Sequence, residues 1–182
     1  MSIIYGDRVR LRAVERDDVK FFYDWVNDPD VADGMALYLP QSQLDEERWF
    51  EDHSTRDQHL KPLSIDVRED TRWKLIGNCV VFKIDWVASW GELGIVIGDK
   101  TCWGKGYGTE VMNLLVRHCF ETLNLNRVQL RVFSRNARAR RTYEKIGFIE
   151  EGRLRQASYT RGKYDDVIIM GILQSEWKSK EE

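Results

Sequence analysis

The stretch from Glu92 to Glu110 reads ELGIVIGDKTCWGKGYGTE and constrains the fold more than any other part of the chain. Its first residues alternate between two faces, which predicts a β-strand over 92–97. Apolar side chains then recur at helical spacing, which predicts a helix over 107–123. The glycine-rich turn between them, Gly104–Gly108, leaves backbone N–H groups unpaired where the helix dipole is positive. A strand, glycine turn and helix in this order form an anion-binding arrangement.

The glycine spacing argues against the two commonest nucleotide loops. The turn lacks the Gly-Lys-Ser/Thr of a nucleoside-triphosphate loop, and its glycines run G-x-G-x-G, unlike a dinucleotide loop. Lys105 adds a positive charge beside glycines that let the backbone approach a phosphate. Taken alone, the turn can equally be explained as close packing of a helix against a strand.

A second motif, NARARRTYEKIGF, runs from Asn136 to Phe148 after a strand predicted over 128–133. Together the two motifs resemble the GNAT superfamily of acyl-CoA-dependent N-acetyltransferases. The family's diphosphate loop, Q/R-x-x-G-x-G/A, is matched from Trp103 to Gly108, with Trp103 standing where Gln or Arg is usual. The family motif N-x-x-A-x-x-x-Y-E-K-x-G-F is matched at Asn136, Ala139, Tyr143, Glu144, Lys145, Gly147 and Phe148.

This resemblance implies acetyl-CoA as co-substrate, with its diphosphate on the loop amides. It also implies that two parallel central strands splay apart, so that free backbone groups of one strand pair with the pantetheine arm. A helix N-cap is the alternative role for Asn136. The cofactor-binding residues expected on this basis are Ile95, Val96, Ile97, Trp103, Gly104, Lys105, Gly106, Tyr107, Gly108, Thr109, Ser134, Asn136, Arg138, Ala139 and Tyr143.

Acetyl transfer from a thioester to an amine requires a neutral amine, donors for the oxyanion and a proton for the departing thiolate. The resemblance assigns the proton to Tyr143, and a phenol pKa of about 10 suits a thiol pKa of about 8.5. Packing on the buried face of a short helix is the alternative role of this ring. The oxyanion donor is expected to be a backbone N–H near Val96 or Ile97.

The proton acceptor for the amine is the least specific of these assignments. Some GNAT branches carry a glutamate on the strand before the Asn motif, but Arg131 stands there in this chain. Glu92, at the start of the glycine-loop strand, is therefore the candidate base, acting directly or through water. A solvent-facing carboxylate at a strand end is the alternative, and bulk water can also take the proton.

The remaining patterns predict a single α/β domain over 1–176, with a mixed sheet and a charged tail over 177–182. The sheet is expected to have about seven strands, with four helices on both faces, as in the GNAT fold. Short polar connections predict an antiparallel meander in the first half, and the helix over 107–123 predicts a parallel strand pair. The predicted strands cover 8–12, 63–67, 73–84, 92–97, 128–133, 148–155 and 164–173.

Composition limits the partners. The net charge of -2 does not indicate nucleic-acid binding. An apolar run of about twenty residues and a secretion signal are both missing from the sequence, so neither a membrane nor export is expected. The three cysteines, Cys79, Cys102 and Cys119, lack metal-ligand spacing and are interpreted as reduced thiols of a cytoplasmic protein without a metal.

The acceptor is expected to be a primary amine, bound with the help of the first third of the chain. The stretch WVNDPDV from Trp25 resembles the RimJ/RimL-like branch, which acetylates ribosomal-protein N-termini. The stretch from Gly152 to Asp166 resembles that branch and its polyamine-acetylating relatives. A peptide N-terminus, a polyamine, an amino sugar and an amino acid all fit. The acidic residues that can attract a cation, or form ordinary surface charge, are Asp28, Asp30, Asp33, Asp45, Glu46 and Glu47.

Two further possibilities stay open at the level of sequence. A non-catalytic acyl-CoA-binding or sensing domain could keep the same fold and loop, although the presence of Tyr143 argues against it. A homodimer could form through Trp177 and the last strand, but no feature of the sequence demands one.

Overall fold

The computed structural model describes residues 3–35 and 37–177, so the predicted tail lies outside the described residues except for Trp177. Within these residues the chain forms helices and an eight-stranded mixed sheet, which confirms the predicted α/β class. None of the described helices combines the length and the apolar character needed to cross a membrane. In chain order the elements are β1 (Ile4–Tyr5), β2 (Val9–Ala13), α1 (Val19–Val26), α2 (Pro29–Ala32), α3 (Gln43–Ser54), β3 (Leu63–Glu69), β4 (Arg72–Asp85), β5 (Trp90–Ile97), α4 (Tyr107–Arg117), β6 (Arg127–Phe133), α5 (Ala137–Ile146), β7 (Ile149–Thr160) and β8 (Lys163–Leu173).

The strands are hydrogen-bonded in the order β1-β2-β3-β4-β5-β6-β8-β7. Neighbours from β1 to β4 run antiparallel, and for β3 and β4 the short connection between them predicted this. β5 and β6 run parallel, because α4 carries the chain back to the same end before β6 begins. β8 pairs antiparallel with both β6 and β7, so the last strand of the chain lies inside the sheet and β7 forms its edge.

Two compact units share β4, β5 and α4 between them. The first contains the chain up to Val81 together with Ile95–Val111, and the second contains Phe82–Gly94 and the chain from Met112 onward. Each unit has its own buried apolar residues. Those of the first include Val9, Leu11, Phe22, Ile65, Val67 and Ile76, and those of the second include Leu115, Phe120, Val128, Leu130, Phe148, Ile168 and Met170.

Local side-chain and backbone preferences explain how α3 begins and how the β7–β8 turn forms. Ser42 and Asp45 form the capping box that begins α3, with the Ser42 hydroxyl accepting from the Asp45 N–H at 3.1 Å. Arg161 and Gly162 form the turn between β7 and β8, and both have positive φ (51° and 78°). Positive φ at both central residues is the geometry that a two-residue hairpin turn requires.

Three features differ from the sequence-based expectation. β1 is two residues long, which is too short to show a periodic pattern. β7 continues to Thr160, beyond the predicted end at 155, because a register shift between Leu154 and Ser158 interrupts the alternation on which the prediction relied. The described residues contain one α-helix beyond the expected four, because the short helix α2 begins at Pro29, a position at which proline suits a helix.

Candidate active site

The glycine-rich turn begins α4 and exposes a row of backbone donors. Gly104 and Gly106 have φ of 75° and 85°, a conformation that glycine adopts without a steric penalty. The carbonyl of Gly106 accepts from the N–H groups of Thr109 and Glu110, at 3.1 and 3.2 Å, and so starts the helix. Within the described chain, no oxygen accepts a hydrogen bond from the amides of residues 104–108. These amides are therefore available to an anion.

Trp103, the departure from the family pattern, has a role inside the protein. Its indole N–H donates to the carbonyl oxygen of Ile97 at 2.7 Å. This bond ties the loop to the end of β5 and occupies one of the backbone groups that was expected to be free. The ring of Trp25 covers the next residue, since a Cβ built on Gly98 would lie 2.0 Å from it. The end of β5 is thus held by two tryptophans from different segments.

The ladder between β5 and β6 is short. It contains only Trp90 with Arg127, Gly91 with Val128 and Glu92 with Gln129. Beyond Glu92, no residue of β5 pairs with β6, whereas β6 continues to pair with β8 as far as Phe133. The β5–β6 ladder therefore ends before Ile95–Ile97, the residues that the family resemblance assigns to the pantetheine arm.

The second motif builds the two ends of α5. Asn136 is the N-cap, and its side-chain oxygen accepts from the Ala139 N–H at 3.1 Å. Gly147 ends the helix with φ of 118°, and its N–H donates to the carbonyls of Tyr143 and Glu144. Because Gly147 turns the chain sharply, Phe148 enters the core of the second unit with 2% exposure. The N-cap role of Asn136 leaves its amide NH₂ group for another partner.

Tyr143 lies on the buried face of α5, with 8% exposure, and its ring packs against Phe148 at a centroid distance of 6.0 Å. Burial raises the pKa of the phenol to about 12. No hydrogen bond joins its hydroxyl to another described residue. Tyr143 is therefore protonated at neutral pH, and its hydroxyl is not committed to a partner within the described chain.

Glu92 is held by two neighbours on β6. One carboxylate oxygen pairs with Nε of Arg131 at 3.1 Å, and the other accepts from Nε2 of Gln129 at 3.2 Å. Arg131 therefore stands where other branches carry a glutamate and contacts the candidate base directly. A base role for Glu92 requires one of these contacts to yield when the proton arrives.

The other second-unit residues are fixed by their surroundings. The Ser134 hydroxyl donates to Asp165 in a short hydrogen bond, and Nη1 of Arg135 contacts the same carboxylate at 2.8 Å. Burial lowers the pKa of Arg138.

The predicted site residues are divided between the two units. The first unit carries Ile95–Ile97 and residues 103–109, and the second carries Glu92, Ser134, Asn136, Arg138, Ala139 and Tyr143.

Sequence reasoning missed Arg8, which reaches the glycine-rich turn from the residue before β2. Its Nη1 donates to the Lys105 carbonyl and its Nε to the Glu110 carboxylate, both at 3.0 Å. The partners lie 97 and 102 residues away along the chain, so no local pattern could have indicated them.

Several acidic residues in the first third of the chain bind other groups of the protein. Asp28 and Asp30 both bind Nζ of Lys100, at 2.7 and 3.0 Å, and this hydrogen bond lowers the pKa of Asp28. Asp45 closes the capping box of α3. Glu46 is buried, which raises its pKa, and no described residue forms a hydrogen bond or an ion pair with its side chain. Within the predicted cation-attracting set, Asp28 and Asp30 thus share one lysine, and Asp45 caps a helix.

A cavity of about 390 Å³ lies in the first unit between α3 and the strands β1 and β2. Its walls are mainly apolar and include Leu11, Trp49 and Phe50, with His53 and Lys61 as polar groups. None of the predicted site residues lines it.

A family model described as an acetyltransferase (GNAT) domain matches residues 8–149. The chain therefore belongs to the GNAT acetyltransferase family.

Proteins similar to this chain carry related names. The spermidine N(1)-acetyltransferase of Vibrio cholerae is 30% identical over 179 residues, covering 97% of this chain and 99% of that protein. A crystal structure of spermidine N-acetyltransferase from Vibrio cholerae in complex with CoA and spermine matches with a TM-score of 0.85 at 28% identity, covering 94% of this chain and 98% of that one. A putative ribosomal N-acetyltransferase of Bacillus subtilis, YdaF, is 34% identical over 106 residues, covering 58% of this chain and 57% of that protein.

The protein is thus an N-acetyltransferase that transfers the acetyl group of acetyl-CoA to an amine. The predicted fold family, co-substrate and reaction are confirmed.

Proposed function

We propose that the acceptor is a polyamine such as spermidine. The observation that carries this proposal is the similarity, over nearly the whole chain, to a spermidine acetyltransferase whose structure contains CoA and spermine. All three cysteines are buried thiols that form no disulfide within the described residues, and this supports a reducing, cytoplasmic setting. A homodimer stays a prediction.

In this proposal the amides of residues 104–108 bind the diphosphate, since they are unpaired and lie at the positive end of α4. The unpaired part of β5 and the amide of Asn136 bind the pantetheine arm, and a backbone N–H near Val96 stabilises the oxyanion. The support for these assignments is the short β5–β6 ladder and the uncommitted NH₂ group of Asn136.

Tyr143 assists departure of the thiolate. Its hydroxyl carries a proton at neutral pH, and no internal hydrogen bond must be broken before it can act. Because burial makes the tyrosinate unfavourable, complete proton transfer to a thiolate of much lower pKa is costly in this site. The phenol therefore acts chiefly by donating a hydrogen bond to the leaving sulfur as the C–S bond breaks.

The acceptor proposal is tested with purified enzyme, acetyl-CoA and a panel of amines. Spermidine and spermine are compared with peptides bearing free N-termini, amino sugars and amino acids, and products are detected by mass spectrometry. We expect monoacetylated polyamines with the highest kcat/KM. Acetylation of peptide N-termini with inert polyamines would overturn the proposal and favour the ribosomal-protein alternative that the YdaF similarity raises.

Glu92 is proposed as the proton acceptor, directly or through water. If so, Glu92→Gln should flatten the rise of kcat/KM with pH, because glutamine cannot take a proton. Arg131→Gln is the matched control, since it removes the ion-pair partner but keeps the carboxylate. The rising limb should persist in that control. An unaltered profile in Glu92→Gln would assign amine deprotonation to solvent.

A further inference from the structure

Arg8 is anchored on the glycine-rich turn by three contacts within the first unit. Nε pairs with one oxygen of Glu110 at 3.0 Å, and Nη1 donates to the Lys105 carbonyl at 3.0 Å. The guanidinium also stands over the ring of Tyr107, 5.0 Å from its centroid. These contacts fix the plane and the direction of the guanidinium group.

Glu110 holds Arg8 by its backbone as well as its side chain. The second carboxylate oxygen accepts from the N–H groups of Arg8 and Val9, at 2.7 and 3.1 Å. A carboxylate in the first turn of α4 therefore joins the start of β2 to the turn that precedes the helix. The negative charge at this helix end is also favourable to the helix dipole.

One nitrogen of the Arg8 guanidinium group, Nη2, remains available for a further hydrogen bond. Within the described residues, no oxygen accepts from Nη2. This nitrogen lies 3.3 Å from the position that a Cβ on Gly106 would occupy. A charged donor with free N–H bonds thus stands beside the row of unpaired amides of residues 104–108.

A phosphate oxygen is a suitable acceptor for this free N–H group and for the neighbouring amides. The planar guanidinium is already oriented by two hydrogen bonds, so a third to a phosphate oxygen costs little additional entropy. We propose that Nη2 of Arg8 donates to the diphosphate of acetyl-CoA, with Glu110 as the residue that positions the guanidinium. This inference rests on the proposed role of the glycine-rich turn in binding the diphosphate.

The test measures CoA binding by isothermal titration calorimetry for Arg8→Gln and Arg8→Lys. We expect the affinity of Arg8→Gln to fall roughly tenfold to a hundredfold, the usual effect of losing a hydrogen bond to a charged group. The CoA affinity of Arg8→Lys should lie between those of Arg8→Gln and the parent enzyme, because lysine keeps the positive charge but lacks the planar guanidinium group. Arg72→Gln, which removes an exposed arginine at the start of β4, is the control for net charge.

Two truncated ligands locate the contact. The loss in Arg8→Gln should be equally large for 3′-dephospho-CoA, and the ratio of kcat/KM for acetyl-CoA over acetyl-pantetheine should fall by the same factor. A loss confined to CoA that carries the 3′-phosphate would overturn the diphosphate assignment. An equal loss with acetyl-pantetheine, which has no phosphate, would show that Arg8 acts only on the structure of the turn.

The comparison with Gly106→Val separates this inference from the proposed function. If Gly106→Val loses CoA and Arg8→Gln binds it normally, the turn binds the diphosphate and the Arg8 inference is wrong. If Gly106→Val binds CoA normally, the proposed role of the turn fails together with the inference. A thermal melt of each variant shows whether it is folded. If Arg8→Gln does not fold, the CoA affinity of Arg8→Lys decides the outcome: a lower affinity than that of the parent enzyme supports the inference, and an equal affinity overturns it.

Discussion

Replacement of Tyr143 by phenylalanine is expected to lower kcat by roughly a hundredfold or more, the effect of losing a positioned hydrogen-bond donor to a developing negative charge. The affinity for CoA should change little, because the ring still fills its place against Phe148. Steady-state kinetics and calorimetry measure the two quantities separately. Since burial raises the pKa of Tyr143 to about 12, the phenol should stay protonated as the pH rises to 10. Tyr143 should therefore add no falling limb to the kcat profile in that range.

Tyr164→Phe is the matched control for this variant, because it removes a hydroxyl from a tyrosine that is 66% exposed in β8. Its kcat should equal that of the parent enzyme. Unchanged turnover in Tyr143→Phe would restrict the residue to packing on α5, the alternative role that the sequence left open.

The second large effect is expected for Gly106→Val. Valine is strained at the φ of 85° that Gly106 adopts, and its side chain would displace Nη2 of Arg8, 3.3 Å from the Cβ position. Strain of about 1–3 kcal/mol corresponds to roughly a fivefold to 150-fold loss of affinity if it moves the loop amides. Calorimetric titration with CoA should therefore show a dissociation constant roughly fivefold to 150-fold higher than that of the parent enzyme.

Gly162→Val provides the control for backbone strain. Gly162 has a similar φ of 78° in the β7–β8 turn, and nothing lies within 4 Å of its Cβ position. Both variants should lower the melting temperature, but only Gly106→Val should weaken CoA binding. Equal CoA affinity in the two folded variants would contradict a role for the glycine-rich turn in binding.

The turn and the helix that carry the proposed cofactor site could be predicted because their signals are local. The turn of residues 104–108 needs glycines where φ is positive, and α5 needs an N-cap and a terminating glycine at fixed spacing. Such requirements depend on neighbouring residues in the chain, so they are visible in one sequence. The part of the chain expected to bind the amine has no comparable local pattern. Its acidic residues near Asp28 pair with a lysine that is distant along the chain.

By itself, the sequence determined the α/β class, the parallel pair flanking α4 and the identity of the two motifs. Tertiary structure alone decided that Arg8 and Glu110 brace the loop, that Trp103 bonds to Ile97, and that Arg131 contacts Glu92. The physical reason is that helix and turn preferences act over a few residues, whereas these contacts depend on which strands become neighbours. That choice is made by burial of apolar faces across the whole sheet, and no short segment records it.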